Sequence, residues 1–201
     1  MNKIIGLEKP VPQLVVIRGK LFAYRLISSP KFRTPRGQAL VDCGFNVWRQ
    51  TPFPGRSKSN PEAIYAAVKT GRGYRLCPTD AGPKEIFTYK AFVERVIDGD
   101  TLWANIDCGF NTRVRQKLRL KAIDAPEIKT NSGRRARGFV VKALKPCPFI
   151  VIKTYQSDKY DRYLSDIFYL PGEKDEKKVA LTGKFLNQEL LNAGLAVMWK
   201  E

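Results

Sequence analysis

Residues 95–127 read RVIDGDTLWANIDCGFNTRVRQKLRLKAIDAPE. Two runs of alternating apolar and polar residues in this stretch indicate strands, and each run ends at an acidic residue beside a Gly or Pro turn signal. The charged groups of interest are Asp98, Asp100, Arg119, Asp124 and Glu127. Carboxylate oxygens are the ligands that Ca²⁺ and Mg²⁺ prefer, and a guanidinium group is suited to binding phosphate. The stretch therefore predicts a charged site at strand ends that binds a metal ion and a phosphate.

The net charge of the chain indicates a polyanionic partner. The 201 residues include 36 Lys and Arg against 19 Asp and Glu, which gives a net charge of +17. Such an excess favours a nucleic acid first and an anionic membrane surface second. No apolar stretch approaches the length of a membrane span, so the predicted partner is a nucleic acid and not a membrane.

The absence of histidine limits the chemistry that the chain can perform. With 0 His in the sequence, Ser-His-Asp and Cys-His catalysis are excluded. A general base must therefore be a carboxylate, a lysine or a tyrosine. The four cysteines, Cys43, Cys77, Cys108 and Cys147, form no Cys-x-x-Cys pair, so a structural zinc site is not predicted.

The N-terminal residues predict a cytoplasmic protein with reduced thiols. In MNKIIGLEKPVPQL, Pro10 and Pro12 stand where a signal peptide would have its apolar core. Secretion stays open on this basis. Two disulfides also stay open, because four cysteines would allow them.

Pro, Gly and Ser clusters divide the chain into two predicted parts, residues 1–85 and residues 86–201. The first part is a basic, β-rich region of unrecognised family, which we interpret as a degenerate barrel or a nucleic-acid clamp. Its β-branched and aromatic runs predict strands within 13–27 and 38–48. The segment PEAIYAAVKT at 61–70 predicts a short helix, and the loops predicted beside these elements cover 28–37 and 51–60.

The pentapeptide DCGFN occurs twice, at 42–46 and at 107–111. A tyrosine, Tyr24 or Tyr89, precedes each copy by eighteen residues. The match indicates either an internal duplication or a coincidence of turn-forming residues between strands, and we favour coincidence. Under duplication, the first copy has Arg33 and Pro35 where the second has acidic residues, so it would lack the metal site.

The second part alternates between strand and helix patterns. Apolar residues at helical spacing predict a helix over 132–144 with Ser132 as its cap, and the same pattern recurs over 186–193. Strands are predicted at 149–155 and 162–170, and the charged segment at 171–178 is predicted to be a solvated loop. This order predicts an α+β fold with a small barrel and packed helices.

Four separated motifs give the second part a specific resemblance. RVIDGDTL, LRLKAIDAPE, SDKYDRYLSDIF and FLNQELLNAGLA, in this order, resemble the staphylococcal nuclease family over residues 88–199. The resemblance implies an OB-type five-stranded β-barrel with packed helices and a Ca²⁺-dependent phosphodiesterase site. Any one of these acids or arginines alone would more often belong to a turn or a solvated strand. Their joint occurrence in the family order favours the site.

The resemblance also implies a role for each matching residue. Asp100 and Asp124 match metal ligands, Ala125 stands where a backbone carbonyl reaches the metal, and Asp98 matches an acid near the ion. Glu127 matches the residue that orients or deprotonates the attacking water. Arg119 and Arg162 match phosphate-binding arginines, and Lys159 and Tyr160 match groups at the substrate.

Two departures from the family pattern affect substrate contacts. The family's base-stacking tyrosines have no match, and Trp199 or an N-terminal aromatic residue is expected to take their place. Asp161 stands where glycine is common, and its charge is expected either to orient Arg162 or to weaken its contact with phosphate.

The resulting prediction is a calcium-dependent nuclease that cleaves DNA, RNA or both and leaves 3′-phosphate ends. The alternative is a non-catalytic, nucleic-acid-binding OB-type module, for which a net charge of +17 would suffice. Four carboxylates facing a phosphate argue against the alternative, because a binder gains nothing from them. No obligate protein partner is indicated.

Overall fold

The computed structural model describes residues 10–27, 34–35, 37–52, 63–71 and 73–199. The strands of this part of the chain are β1 (Ala23–Arg25), β2 (Gln38–Asp42), β3 (Trp48–Pro52), β4 (Ile64–Thr70), β5 (Gly73–Pro78), β6 (Thr88–Val96), β7 (Thr101–Asp107), β8 (Arg113–Leu120), β9 (Ile123–Asp124), β10 (Ile150–Ser157), β11 (Tyr163–Tyr169), β12 (Lys184–Phe185) and β13 (Val197–Met198). The helices are α1 (Asn131–Leu144), α2 (Glu176–Thr182) and α3 (Leu186–Asn192).

Five strands close into a barrel in the order β10-β6-β7-β8-β11, because β11 pairs back onto β10. The pairing of β8 with β11 is parallel, and the other pairings around the barrel are antiparallel. Alternate residues of β7, namely Leu102, Ala104 and Ile106, point inward and are fully buried, as the period of two residues in a strand requires. The α+β prediction of an OB-type five-stranded barrel with packed helices is confirmed.

The helices α1 and α2 begin where side chains cap their first turns. Thr130, not Ser132, accepts the hydrogen bond from the backbone N–H of Gly133 at the start of α1, so the predicted cap was wrong by two residues. The predicted loop at 171–178 was wrong at its end, because Asp175 caps α2 through the N–H of Lys177. None of the helices in the described ranges has the length and apolar character needed to span a bilayer.

The predicted helix at 61–70 is instead a strand over most of its length. Its residues from Ile64 onward form β4, which pairs with β5 in antiparallel fashion through a turn at Thr70–Gly73. Ile64, Tyr65 and Val68 favour strands, and pairing on both sides outweighs the helical spacing of the alanines. Asn60, Pro61 and most of both predicted loops lie outside the described residues.

The N-terminal region and the barrel share one hydrophobic core. Tyr24, Val41 and Tyr65 belong to the same buried cluster as Tyr89 and Ile106 of the barrel. The segment before β1 also lies against the C-terminal helices, since Arg18 donates hydrogen bonds to the carbonyls of Ala180 and Gly183. The hydrophobic core contains residues from both sides of residue 86. The division of the chain into two domains there therefore stays a prediction. All four cysteines are free thiols.

The two DCGFN copies adopt the same hairpin turn. In both, the Asp side chain accepts a hydrogen bond from the Gly N–H at 2.9 Å, in Asp42–Gly44 and Asp107–Gly109. The Gly, Phe and Asn of each copy all have positive φ, between 51° and 72°. The first turn joins β2 to β3 and the second joins β7 to β8.

The contacts around the two turns are reciprocal. The Tyr24 hydroxyl donates to the carbonyl of Cys108 at 2.7 Å, and the Tyr89 hydroxyl donates to the carbonyl of Cys43 at 3.0 Å. The backbone N–H of Phe22 donates to the carbonyl of Thr88, and that of Phe87 donates to the carbonyl of Ala23. Each tyrosine thus binds the turn of the other copy. A coincidence of turn residues would not require such exchange, so these contacts favour duplication.

Candidate functional site

The Asp-Gly-Asp turn between β6 and β7 brings the first acids together. The Asp98 carboxylate accepts a hydrogen bond from the backbone N–H of Asp100 at 3.1 Å, which closes the turn. A Cβ atom at Gly99 would lie only 2.7 Å from the Cβ atoms of Ala125 and Ala136. Glycine is therefore needed here so that the turn can approach α1 and the segment that follows β9.

Asp100 is the buried anchor of the site, with 4% of its side chain exposed. Its Oδ2 accepts hydrogen bonds from Arg119 Nη1 and from the backbone N–H of Ala125, both at 2.9 Å, and its Oδ1 accepts one from the Thr101 hydroxyl. Burial raises the pKa of Asp100, and the Ala125 N–H and the Arg119 charge act in the opposite direction. A carboxylate in this position therefore needs a cation beside it.

Arg119 lies between two carboxylates. It is the penultimate residue of β8, paired with Thr101 in the sheet, and its Nη1 and Nη2 contact Asp100 at 2.9 Å and Asp124 at 2.7 Å. Burial alone would lower the pKa of Arg119, but the charges of Asp100 and Asp124 outweigh it and raise the pKa. One guanidinium thus holds both predicted metal ligands within a few ångströms of each other.

The segment from Asp124 to Glu127 is fixed at both ends. Asp124 ends β9, which pairs with β13, and the buried Asn187 holds the preceding turn by donating to the carbonyl of Lys121 at 3.1 Å. At the other end, the Glu127 carbonyl accepts hydrogen bonds from the backbone N–H and the hydroxyl of Thr130, the cap of α1. The Glu127 side chain itself is exposed.

A tight turn between β10 and β11 carries Arg162. The Asp158 carboxylate accepts hydrogen bonds from the backbone N–H groups of Tyr160 and Arg162 and binds the Arg162 guanidinium through Nε and Nη2 at 2.7 Å. Burial alone would raise the pKa of Asp158, but these hydrogen bonds outweigh it and lower the pKa. The carboxylate is therefore ionised and orients the arginine.

The backbone conformation at Asp161 explains why the family pattern has glycine at this position. Its φ is +59°, in the left-handed region that glycine adopts without strain and that Asp tolerates better than most residues. Its carbonyl accepts a hydrogen bond from Gln116, and the partner of Arg162 is Asp158. Asp158 accounts for the orientation of Arg162, so the charge of Asp161 is not needed for it. The other expected effect, a weaker contact of Arg162 with phosphate, stays a prediction.

One groove of about 850 Å³ gathers most of the predicted site residues. Those that line it are Arg119, Asp124, Glu127, Lys159, Tyr160 and Arg162. Asp100 contacts both the Arg119 guanidinium and the backbone N–H of Ala125. Asp98 contacts the backbone N–H of Asp100 within the turn. Trp199, with 53% of its surface exposed, also lines the groove, and its N–H donates to the carbonyl of Ala122.

The acids of the groove do not form a closed metal cage. Within the described residues, no group of three or more His, Cys, Asp or Glu side chains is arranged to hold a metal ion. The carboxylates of Asp100 and Asp124 contact different nitrogens of the Arg119 guanidinium, Nη1 and Nη2. The roles of the individual residues stay predictions.

Two residues of the site were missed by sequence reasoning. Asp158 has a detectable signal, because an Asp at the first position of a turn that ends four residues later at an arginine can bind both the turn N–H groups and the guanidinium. Asn187 has only a weak signal. Its side chain bonds to three backbone groups, those of Lys121, Ser165 and Ile167, and such burial is visible only in the folded chain.

The fold and the groove define an α+β domain with an OB-type barrel whose polar groove lies between β8, β9 and the β10–β11 turn. Residues 117–201 match the family described as Staphylococcal nuclease homologue. No curated protein matches the chain at a significant level. This match and the five-stranded barrel support an SNase-like family for the barrel domain, and an SNase-like domain supports a nuclease or a nucleic-acid-binding module.

Proposed function

We propose that the barrel domain hydrolyses phosphodiester bonds of DNA or RNA in a Ca²⁺-dependent reaction. The observation that carries this proposal is the single groove lined by Arg119, Arg162, Asp124 and Glu127. A module that only binds a polyanion would be weakened by carboxylates in such a groove, whereas hydrolysis needs them to position water and cation.

The two arginines supply the positive charge that the reaction requires. Negative charge accumulates on the phosphate oxygens as the five-coordinate phosphorus forms, and preorganised donors lower this barrier. Asp158 binds Nε and Nη2 of Arg162, which leaves Nη1 to donate to a phosphate oxygen. A planar guanidinium can thus bind Asp158 along one edge and a phosphate oxygen through its remaining nitrogen, which a lysine cannot do.

The donor set around Arg119 fits Ca²⁺. Asp100 and Asp124 contribute hard carboxylate oxygens that both contact the Arg119 guanidinium, and the Ala125 carbonyl belongs to the same segment as Asp124. These three residues would hold the ion, and Asp98 would add negative charge nearby. When bound, Ca²⁺ supplies a Lewis acid that neutralises charge on the phosphate.

Glu127 is suited to holding the attacking water. Its backbone is fixed by Thr130 and its carboxylate is exposed to the groove. Water adds to phosphorus opposite the 5′ oxygen, the P–O5′ bond breaks, and the 5′ oxygen takes up a proton. The products are a 3′-phosphate and a 5′-hydroxyl. Lys159, Tyr160 and Trp199 line the same groove and can contact phosphate or stack on a base.

The test uses the full chain with plasmid DNA and single-stranded RNA, in Ca²⁺ or in EDTA. We expect cleavage in Ca²⁺ only, and Glu127→Gln and Arg162→Lys are each expected to lower the rate on the order of 100- to 1,000-fold. Asp80→Asn is the matched control, because Asp80 is an exposed acid outside the groove. Cleavage that persists in EDTA and in both variants contradicts the mechanism. Binding without any cleavage would support the non-catalytic module instead.

A further inference from the structure

A cleft of about 700 Å³ lies between the first part of the chain and the barrel. Its walls come from residues 19–22 before β1, residues 66–69 of β4 and one face of α2. Among the residues that the structure describes, none lines both this cleft and the groove of Arg119 and Arg162. Clefts of this volume at the junction of two regions are typical sites for small molecules. The cleft is therefore a candidate ligand site that is separate from the groove.

The walls of the cleft carry apolar side chains that the fold leaves in contact with water. Leu181 of α2 is 70% exposed, and Val68 of β4 is 45% exposed. Leu21 and Phe22 pack against the buried clusters of the core and also line the cleft. Exposed apolar side chains that cluster in a cleft mark a binding surface, because a ligand would remove them from water. The apolar body of a ligand is therefore expected to lie against these four residues.

The two acids that line the cleft already have partners. The Glu176 carboxylate lies 3.2 Å from the Lys90 ammonium. The Asp107 carboxylate accepts the hydrogen bond from the Gly109 N–H that closes the turn. A cationic ligand would have to compete with both of these contacts, so the acids do not favour a cation in the cleft.

The lysines that line the cleft are less fully paired than its acids. Lys20 binds the exposed carboxylate of Asp80. In the described part of the chain, neither the Lys69 nor the Lys177 ammonium forms a salt bridge, although both residues line the cleft. These two ammonium groups leave the cleft with positive charge that its own acids do not neutralise. The charge of the cleft is therefore complementary to an anionic group.

We propose that the cleft binds a small amphipathic anion, a molecule with an aliphatic or aromatic body and one carboxylate. The body would lie on Leu21, Val68 and Leu181, and the carboxylate would be bound by the ammonium groups of Lys69 and Lys177. A lysine suits a single carboxylate because its ammonium is a compact charge on a flexible stem. A bound ligand would bridge β4 and α2 and stabilise the folded chain. The proposal does not rest on the nuclease function, since the groove is not involved.

The test titrates the full chain with decanoate in Ca²⁺-free buffer and measures binding by isothermal titration calorimetry and by thermal unfolding. Decanoate carries the proposed body and carboxylate, whereas decanol lacks the charge and decylammonium reverses it. We expect decanoate to bind most tightly and decylammonium to bind least tightly. Lys69→Gln and Lys177→Gln should each weaken decanoate binding about 2- to 5-fold, because each removes one exposed ionic contact. Neither variant should change the binding of decanol.

Two substitutions at one position separate the effect of charge from any effect on folding. Leu181 is an exposed helical residue, and Glu and Lys are both good helix formers, so Leu181→Glu and Leu181→Lys should fold equally well. Leu181→Glu should bind decanoate about 4- to 25-fold more weakly than Leu181→Lys, since one repels the carboxylate and the other attracts it. Val197→Glu places the same charge at an exposed apolar residue outside the cleft and should bind as the wild type does. Equal binding of decanoate and decylammonium overturns the proposal, and so do equal affinities of the two Leu181 variants or the absence of decanoate binding.

Discussion

The two DCGFN turns have the same backbone conformation, but the chain segments that follow them differ. The second turn leads through β8 to Arg119 and the acids, whereas the first leads through β3 into residues outside the described ranges. Behind each turn, a tyrosine of the other copy donates to its Cys carbonyl, so the two are equivalent in packing. The shared part of the repeat thus carries strand pairing and core, and the unshared part carries charge.

The predicted site residues lie on elements that the described part of the first copy lacks. The helix α1, whose cap fixes Glu127, and the pairing of β9 with β13, which holds Asp124, have no counterpart between β3 and β5 in the described part of the first copy. The turn that joins β4 to β5 is also short, whereas the β10–β11 turn holds Asp158 and Arg162. We therefore expect the groove with the predicted site residues in the second copy and not in the described part of the first.

The largest expected effect comes from breaking the exchange of tyrosines. Tyr24 and Tyr89 are fully buried with rings 6.0 Å apart, and burial raises the pKa of each, so both remain neutral donors. Tyr24→Ala and Tyr89→Ala should each lower the free energy of unfolding by about 3–5 kcal/mol, measured by urea denaturation. Both variants should unfold in one transition, because the core is continuous.

Removing only the hydroxyl groups refines this prediction. Tyr24→Phe and Tyr89→Phe keep the rings and leave the Cys108 or Cys43 carbonyl without its donor, at a cost of about 1–3 kcal/mol each. Similar costs in the two variants support equivalent copies. A large cost for Tyr89 with none for Tyr24, or separate unfolding of residues 1–85, would contradict the reciprocity.

Sequence reasoning succeeded where a pattern is local and failed where pairing decides. The barrel strands and α1 follow from the period of apolar residues. Family order predicted Arg119 and Arg162, which line one groove, and Asp100, which contacts Arg119, but their roles stay predictions. The strand β4 was missed because its alanines fit a helix and its partners β1 and β5 lie elsewhere in the chain. The role of Asp158 depends on a turn geometry with a left-handed residue, which composition does not specify.

The glycines of the two turns, Gly44 and Gly109, should differ in how much stability is lost when each is replaced by alanine. Both have φ near +70°, so an alanine at either costs about 1–2 kcal/mol of backbone strain. A Cβ at Gly109 would lie 2.6 Å from the Tyr24 hydroxyl, whereas one at Gly44 would meet the Phe87 ring at 3.3 Å. Gly109→Ala should therefore cost about 1–3 kcal/mol more than Gly44→Ala, because it disrupts the Tyr24 hydrogen bond. Equal costs in thermal or urea unfolding would argue against that hydrogen bond.

The second copy has a buried Lys–Asp pair where the first copy has an Ala–Cys pair. Lys153 pairs with Asp166 across β10 and β11, where the equivalent pair in β4 and β5 is Ala66 with Cys77. Burial raises the pKa of Asp166 from 3.8 to about 6 and lowers that of Lys153 to about 8. Because the folded state binds the Asp166 proton more tightly, this group's contribution to stability falls as pH rises from about 4 to about 6.

Asp166→Asn removes that titration. The difference in unfolding free energy between Asp166→Asn and the wild type should shift in favour of the variant as pH rises from about 4 to about 6. Cys77→Ser, at the equivalent position in the first copy, is the control and should show no such shift. A difference that does not change with pH would mean that Asp166 is ionised throughout.

The smallest expected effect concerns the turn that carries Arg162. Asp161, just before Arg162, has a φ of +59° in the left-handed region. Asp161→Gly should raise the free energy of unfolding by about 1 kcal/mol, because glycine adopts φ +59° without steric cost. Asp161→Asn removes the charge and keeps a residue that tolerates this region, so its stability should match the wild type. If Asn instead gives the full gain, charge repulsion and not backbone strain limits this turn.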